Sequence, residues 1–290
     1  MVRINAFFKS KLIKSMLIFI LVFAVWIILA PGCLTFREAD ATAIKNFNKQ
    51  GITLRVNKLT IGEKTLHYVE TGNASLPTIV FVHGTPGSWN AFENYLKDTD
   101  LLKRFRLISI DRPGFGYSDF GNPLNLLQQS VIITPLFSHI KNGQPVYLVG
   151  HSLGGPMICR LAVDNPTLFA GLIILAGSLD PAAEKPEKWR PILFKTSLQY
   201  LIPGALRPSN VELWYLKKDL ADLKPLLPQI TCPVYILHGT KDMLVPFSNV
   251  AYMNKMFTHV ANKETIVFDN ENHFIPWTRF KEIKGLLLRL

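Results

Sequence analysis

The stretch VYLVGHSLGG, residues 146–155, decides how this sequence is read. Val146–Val149 is a short apolar run of the kind that forms a strand buried on both faces of a parallel sheet. Gly150-His151-Ser152-Leu153-Gly154 follows at once and fits G-x-S-x-G, and a helix-compatible stretch, Leu153–Asn165, comes next. A glycine two residues to either side of Ser152 removes the Cβ clashes that would block a sharp strand-to-helix turn. Such a turn holds the serine in a strained backbone and projects its hydroxyl from the end of the sheet.

The pattern repeats outward from this point. Ile52–Ile61 and Thr65–Glu70 read as a hairpin turning at Gly62-Glu63, and short apolar runs follow at Thr78–Val82, Arg106–Ile110, Leu172–Leu175, Val234–Leu237 and Thr265–Phe268. Helical stretches fall between them near Ala91–Lys97, Leu126–Ile140, Ser248–Phe257 and Arg279–Leu290. Strands alternating with helices after an opening hairpin predict an α/β fold, with a mostly parallel twisted sheet and helices on both faces.

Catalytic groups in such sheets sit beyond the carboxyl ends of the strands. Those ends carry His83-Gly84-Thr85-Pro86-Gly87, the Ser152 segment, Asp242 and His273. A serine hydroxyl attacks a carbonyl only if a base takes its proton. His273 is the candidate base, with Asp242 to fix its tautomer and stabilise the imidazolium. The oxyanion of a tetrahedral intermediate needs preorganised donors, and the backbone N–H groups of Thr85 and Leu153 are the candidates. His83, His151 and His238 read as packed or hydrogen-bonded near the sheet end, and Asp111 as part of a structural turn with Arg112.

Taken together, HGTPG at 83–87, DRPGFGYSD at 111–119, GHSLGG at 150–155, HGTKDMLVP at 238–246 and NHF at 272–274 resemble the α/β-hydrolase fold superfamily. The resemblance is to its single-domain members with a helical cap and covers about residues 50–290. It implies hydrolysis of an ester or similar carbonyl bond of a small-molecule acyl substrate, without metal or organic cofactor. The order Ser152, Asp242, His273 is that of the family. Some members place the acid after the preceding strand, which makes Asp180 a rival to Asp242. A serine at 152 counts against the epoxide hydrolase and haloalkane dehalogenase branches, where an aspartate attacks. A carboxylesterase or lipase is the leading expectation. A proline iminopeptidase-like peptidase, a carbon–carbon bond hydrolase, a cofactor-free haloperoxidase and an inactive fold used for binding are the alternatives.

Leu179 to Gln229 breaks the rhythm: it has no buried-strand run, yet it holds Trp189, Tyr200, Trp214, Tyr215 and seven prolines. Its length predicts a helical lid inserted at about 179–229 within one catalytic domain, 37–290.

Residues 1–36 read as a separate segment. Met16–Ala30 is continuously apolar, no charge lies between Lys14 and Arg37, and Arg3, Lys9, Lys11 and Lys14 precede the run. This predicts an N-terminal membrane helix with its start in the cytoplasm and the catalytic domain outside. Cleavage before Cys33, which would then carry lipid, is the alternative: Leu-Ala-Pro-Gly-Cys at 29–33 resembles a lipobox but displaces its leucine by one position and inserts Pro31.

Of the net charge of +11, four units sit in that segment. The remaining basic residues are dispersed, with no stripe of basic and aromatic residues, which argues against nucleic-acid binding. Three cysteines (Cys33, Cys159, Cys232) without a C-x-x-C pair exclude a disulfide framework and the common zinc spacings.

Overall fold

The computed structural model describes residues 2–260 and 262–290, with the backbone alone for residues 2–10, so the Arg3 and Lys9 side chains lie outside it. Among the described residues eight strands form one sheet: β1 (Arg55–Ile61), β2 (Lys64–Thr71), β3 (Thr78–Val82), β4 (Arg106–Ile110), β5 (Val146–His151), β6 (Gly171–Leu175), β7 (Val234–Gly239) and β8 (Lys263–Phe268). Their order is β1-β2-β4-β3-β5-β6-β7-β8. The β1–β2 hairpin joins antiparallel through β2 and β4, and every later pairing is parallel. Gly62 takes φ +58° in the hairpin turn, as a tight two-residue connection requires.

The helices are α1 (Val2–Leu29), α2 (Asp40–Asn48), α3 (Glu93–Leu96), α4 (Thr99–Leu102), α5 (Leu126–His139), α6 (Gly154–Asp164), α7 (Arg190–Lys195), α8 (Leu206–Leu223), α9 (Ser248–Met256), α10 (Ile275–Thr278) and α11 (Phe280–Leu287). Side chains alternate across a strand, and the sheet therefore builds two cores. Val80 and Val82 of β3 pack with α5, α6 and α9, whereas Ile79 and Phe81 pack with α2, α3 and α11. Strands β3, β4 and β6 are buried along their whole length. Arg106, a charge within β4, is tolerated because it pairs with Glu70 at 2.5 Å and donates to Ile140 O at 2.9 Å.

Differences from the sequence reading lie at the edges. Ala91–Lys97 is a 3-10 turn (Trp89–Phe92) followed by the single helical turn α3. Helix α2 has no counterpart in that reading, because only Ala43 and Phe47 of its nine residues are buried and its apolar stripe is correspondingly thin. Between β6 and β7 the chain runs through α7, a 3-10 turn at Ser197–Leu201, and α8. Leu216, Leu220 and Leu223 of α8 enter the core beside α5 and α6, so the C-terminal half of this segment belongs to the body of the domain.

Helix α8 is also fastened by a carboxylate. Asp219 accepts the Leu126 N–H at 3.1 Å, one of the free donors at the start of α5. Burial raises the Asp219 carboxyl from 3.8 to about 6, with Glu212 and Asp222 adding repulsion. A group whose folded pKa is raised contributes stability at low pH and loses that contribution as pH rises through the folded value. Asp219→Asn should therefore gain stability relative to the native chain as pH rises from about 4 to about 7.5, read from urea midpoints. An unchanged difference at the two pH values would contradict this.

Candidate active site

Strand β5 ends at His151 and the chain reverses at Ser152, which takes φ +56°. An L-residue adopts this left-handed conformation only where its surroundings impose it. Here the Ser152 N–H donates to Leu175 O at 2.9 Å, and Ser152 O accepts from the Gly155 N–H at 2.9 Å. A Cβ on Gly154 would stand 2.1 Å from Val82 O, and one on Gly150 would stand 2.3 Å from Gly154 O. Gly84, in the loop after β3, passes the serine so closely that its own Cβ would lie 2.8 Å from Ser152 Cβ.

Asp242 follows β7 and is held from two sides. Its Oδ1 accepts the Leu244 and Val245 N–H groups at 2.9 and 2.8 Å, while its Oδ2 lies 2.7 Å from His273 Nδ1. Burial alone would raise this carboxyl, but hydrogen bonds from His238, His273 and the Val245 N–H outweigh it and hold the pKa well below the ordinary carboxylate value. An ionised Asp242 only accepts, so His273 carries its proton on Nδ1 and presents Nε2 as a base. Asp180 is placed elsewhere: its Oδ1 accepts the Ala182 N–H at 2.8 Å, and its own N–H donates to Asn249 Oδ1.

The remaining histidines are structural in their contacts. His151 is buried, and burial together with the neighbouring His273 lowers its pKa to about 3. It is therefore neutral, and its Nε2–H donates to His273 O at 3.0 Å. His238 lies 3.0 Å from Val245 O. Burial and Arg112 keep His83 well below the usual histidine value. Asp111 accepts from His67 Nδ1, the Trp89 N–H and the Tyr117 N–H, which makes it a turn anchor as the sequence suggested.

Ser152, His273, Thr85 and Leu153 line one cavity of about 860 Å³. Among the described residues, neither the Thr85 nor the Leu153 N–H donates to a protein acceptor. Two free N–H groups on the cavity that Ser152 and an oriented imidazole also line can stabilise an oxyanion formed at the serine. Glu184 and Leu213 from the segment between β6 and β7 form another wall, and Phe274 and Trp277 supply apolar surface.

The sequence reading missed two residues here. Phe36, from the connection after α1, also lines the cavity. Arg112 is fully buried and donates to the His83 and Gly84 carbonyls at 2.9 and 3.0 Å. A charge inside the apolar DRPGFG stretch was the available signal for it.

Comparison with known proteins agrees with this architecture. Residues 77–202 match the family described by the alpha/beta hydrolase fold. An uncharacterised hydrolase of Bacillus subtilis is 28% identical over 126 residues, 42% of this chain and 45% of the relative. Epoxide hydrolase 3 of Xenopus tropicalis is 25% identical over 210 residues, 70% of this chain and 53% of the relative. The chain thus spans about half the length of these two relatives. Among solved structures, a bacterial membrane phospholipase A superposes with a TM-score of 0.62 at 17% identity, covering 97% of this chain and 99% of that one.

The close approach at Gly154 yields a paired prediction. Gly154→Ala must push two backbones apart and should lower the unfolding free energy by about 1–3 kcal/mol. Gly285 is exposed in α11, and an added methyl there would meet no atom within 4 Å. Gly285→Ala should instead raise stability by about 0.5–1 kcal/mol. Chemical denaturation of both variants measures the difference, and equal effects would contradict it.

Proposed function

We propose that this chain, whose residues 77–202 match the alpha/beta hydrolase fold, is a hydrolase that cleaves carboxylic esters through an acyl-enzyme on Ser152. The observation that carries the reading is the 2.7 Å contact of His273 Nδ1 with an ionised Asp242. It sits on the same cavity as Ser152 and two uncommitted N–H groups. In this mechanism His273 Nε2 takes the Ser152 proton as Oγ adds to the ester carbonyl. The Thr85 and Leu153 N–H groups hold the resulting oxyanion. Collapse breaks the bond to the alkoxide, which leaves with the proton from His273. Water, deprotonated by the same imidazole, then adds to the acyl-enzyme, and acid is released as the proton returns to Ser152.

The apolar Leu213, Leu216, Met243, Phe274 and Trp277 in the cavity wall favour an acyl chain over a charged group. The segment at about 179–229 serves as a lid over this cavity, to which it contributes Ala183 through Glu187.

Membrane attachment belongs to the same proposal. Lys11–Gly32 is long and apolar enough to cross a membrane, with a mean hydropathy of 2.8. Residues 1–36 then form the anchor, and the four basic residues before the apolar run place the catalytic domain, 37–290, outside the cytoplasm. Retention of the helix is favoured over cleavage before Cys33, because its end is seated on the lid. Trp26 Nε1 donates to Leu201 O at 3.0 Å, Ala30 O accepts the Gly204 N–H at 2.9 Å, and Leu34 O accepts the Ala205 N–H at 3.1 Å.

Hydrolysis of p-nitrophenyl esters of increasing chain length tests the activity. Ser152→Ala should lower kcat by on the order of 10⁶-fold and Asp242→Asn by about 10⁴-fold, the scale seen when such residues are removed from serine hydrolases. Wild-type turnover in either folded variant would refute the assigned role.

A further inference from the structure

Arg112 makes more contacts than a turn residue needs. Its buried guanidinium has five N–H donors, and all five find acceptors. Nε donates to His83 O at 2.9 Å, Nη2 to Gly84 O at 3.0 Å and to Glu212 Oε2 at 3.0 Å, and Nη1 to Glu212 Oε1 at 2.6 Å and Gln129 Oε1 at 3.0 Å. Gln129 Nε2 in turn donates to Glu212 Oε1 at 2.7 Å. Glu212 lies on α8, 100 residues along the chain from Arg112. The guanidinium thus bridges the segment between β6 and β7 to the loop after β3.

The consequence follows from peptide geometry. Gly84 C=O and Thr85 N–H are the two ends of one planar trans peptide and point in opposite directions. Gly84 O is gripped twice, by Arg112 Nη2 and by His83 Nδ1–H at 2.6 Å. His83 can donate there because it is neutral and its Nε2 accepts the Arg112 N–H at 3.0 Å. Two donors that fix the carbonyl end also fix the direction of the N–H at the other end.

We propose that Arg112 and Glu212 are positioning residues: α8, seated through the Glu212 carboxylate, holds Arg112 so that the Thr85 N–H is aimed at the reacting carbonyl. The inference rests on the reading of Thr85 as an oxyanion donor. It makes the oxyanion site complete only while α8 is seated, and so ties catalytic competence to the closed arrangement of the inserted segment. Neither residue touches the reacting atoms, and both act through the Gly84–Thr85 peptide.

The test uses the full chain in detergent with Glu212→Gln, which keeps the shape but weakens the grip, and Arg112→Lys, which keeps the charge but loses the fork. Lys218→Ala, exposed on the same helix and paired with Asp222, is the control. Two quantities are read: kcat and KM for a p-nitrophenyl ester, and the inhibition constant of a trifluoromethyl ketone, whose serine adduct carries the oxyanion. A misaimed donor should lower kcat by about 10–100-fold. KM should stay nearly constant, the ketone should weaken by the same factor as kcat, and the control should match the wild type. If Glu212→Gln fails to fold, Arg112→Lys carries the same readout. Unchanged kcat and ketone affinity in a folded variant, or a loss confined to KM, would overturn the inference while leaving an inactive Ser152→Ala to uphold the esterase reading. An active Ser152→Ala would overturn that reading itself, and this inference with it.

Discussion

The backbone of Gly154 lies so close to the end of strand β3 that no side chain fits between them, and the site is built on that contact. With α6 drawn onto the sheet there, the chain leaving β5 must reverse within one residue, and Ser152 takes up a left-handed backbone to do so. The cost, on the order of 1–2 kcal/mol for an L-residue, is offset by the Ser152 N–H bond to β6 and by the apolar face of α6 packed in the core. Gly84 and Gly150 answer the same crowding from either side. Parallel strands β3, β5, β6, β7 and β8 carry their loops to one end of the sheet, which is how residues as distant as Thr85 and His273 come to line one cavity.

Charge around this cavity is sorted by burial. His83 and His151 are kept neutral by desolvation and can each serve as a fixed donor, His83 to Gly84 O and His151 to His273 O. Asp242 is kept ionised by the donors around it. Arg112 brings a permanent cation into the interior, and its cost is met by both oxygens of the Glu212 carboxylate and by three further acceptors, the His83 and Gly84 carbonyls and the Gln129 amide oxygen. A neutral donor aligns one group, whereas the Arg112–Glu212 pair aligns two separate parts of the chain.

Legibility in the sequence follows the same physics. Strands Thr78–Val82 and Arg106–Ile110 could be bounded to the residue because both faces are buried and the apolar run ends where the turn begins. Strand β8, half exposed at the sheet edge, begins two residues before its apolar run, at Lys263 and Glu264. The turn at Ser152 was readable because its glycines and serine lie together in sequence, and the Asp242–His273 contact because each residue follows an apolar run. The Arg112–Glu212 bridge was not, since a carboxylate on an amphipathic helix is ordinarily solvated and nothing local says which cation it meets. Seating of Phe36 and Trp26 was hidden for a related reason: an apolar residue in or beside a long apolar helix reads as part of that helix whatever it touches. The inserted segment was recognised by its length, yet its leucines did not reveal that α8 would enter the core.

If Ser152 is an activated nucleophile, covalent labelling reads it most directly. The full chain, purified in detergent, would be treated with a fluorophosphonate and the modified peptide identified by mass. A single phosphonylated site is expected at Ser152, lost in a folded His273→Ala variant that has no base to take the proton. A folded native chain that takes no label, or takes it on another residue, would contradict this role for the serine.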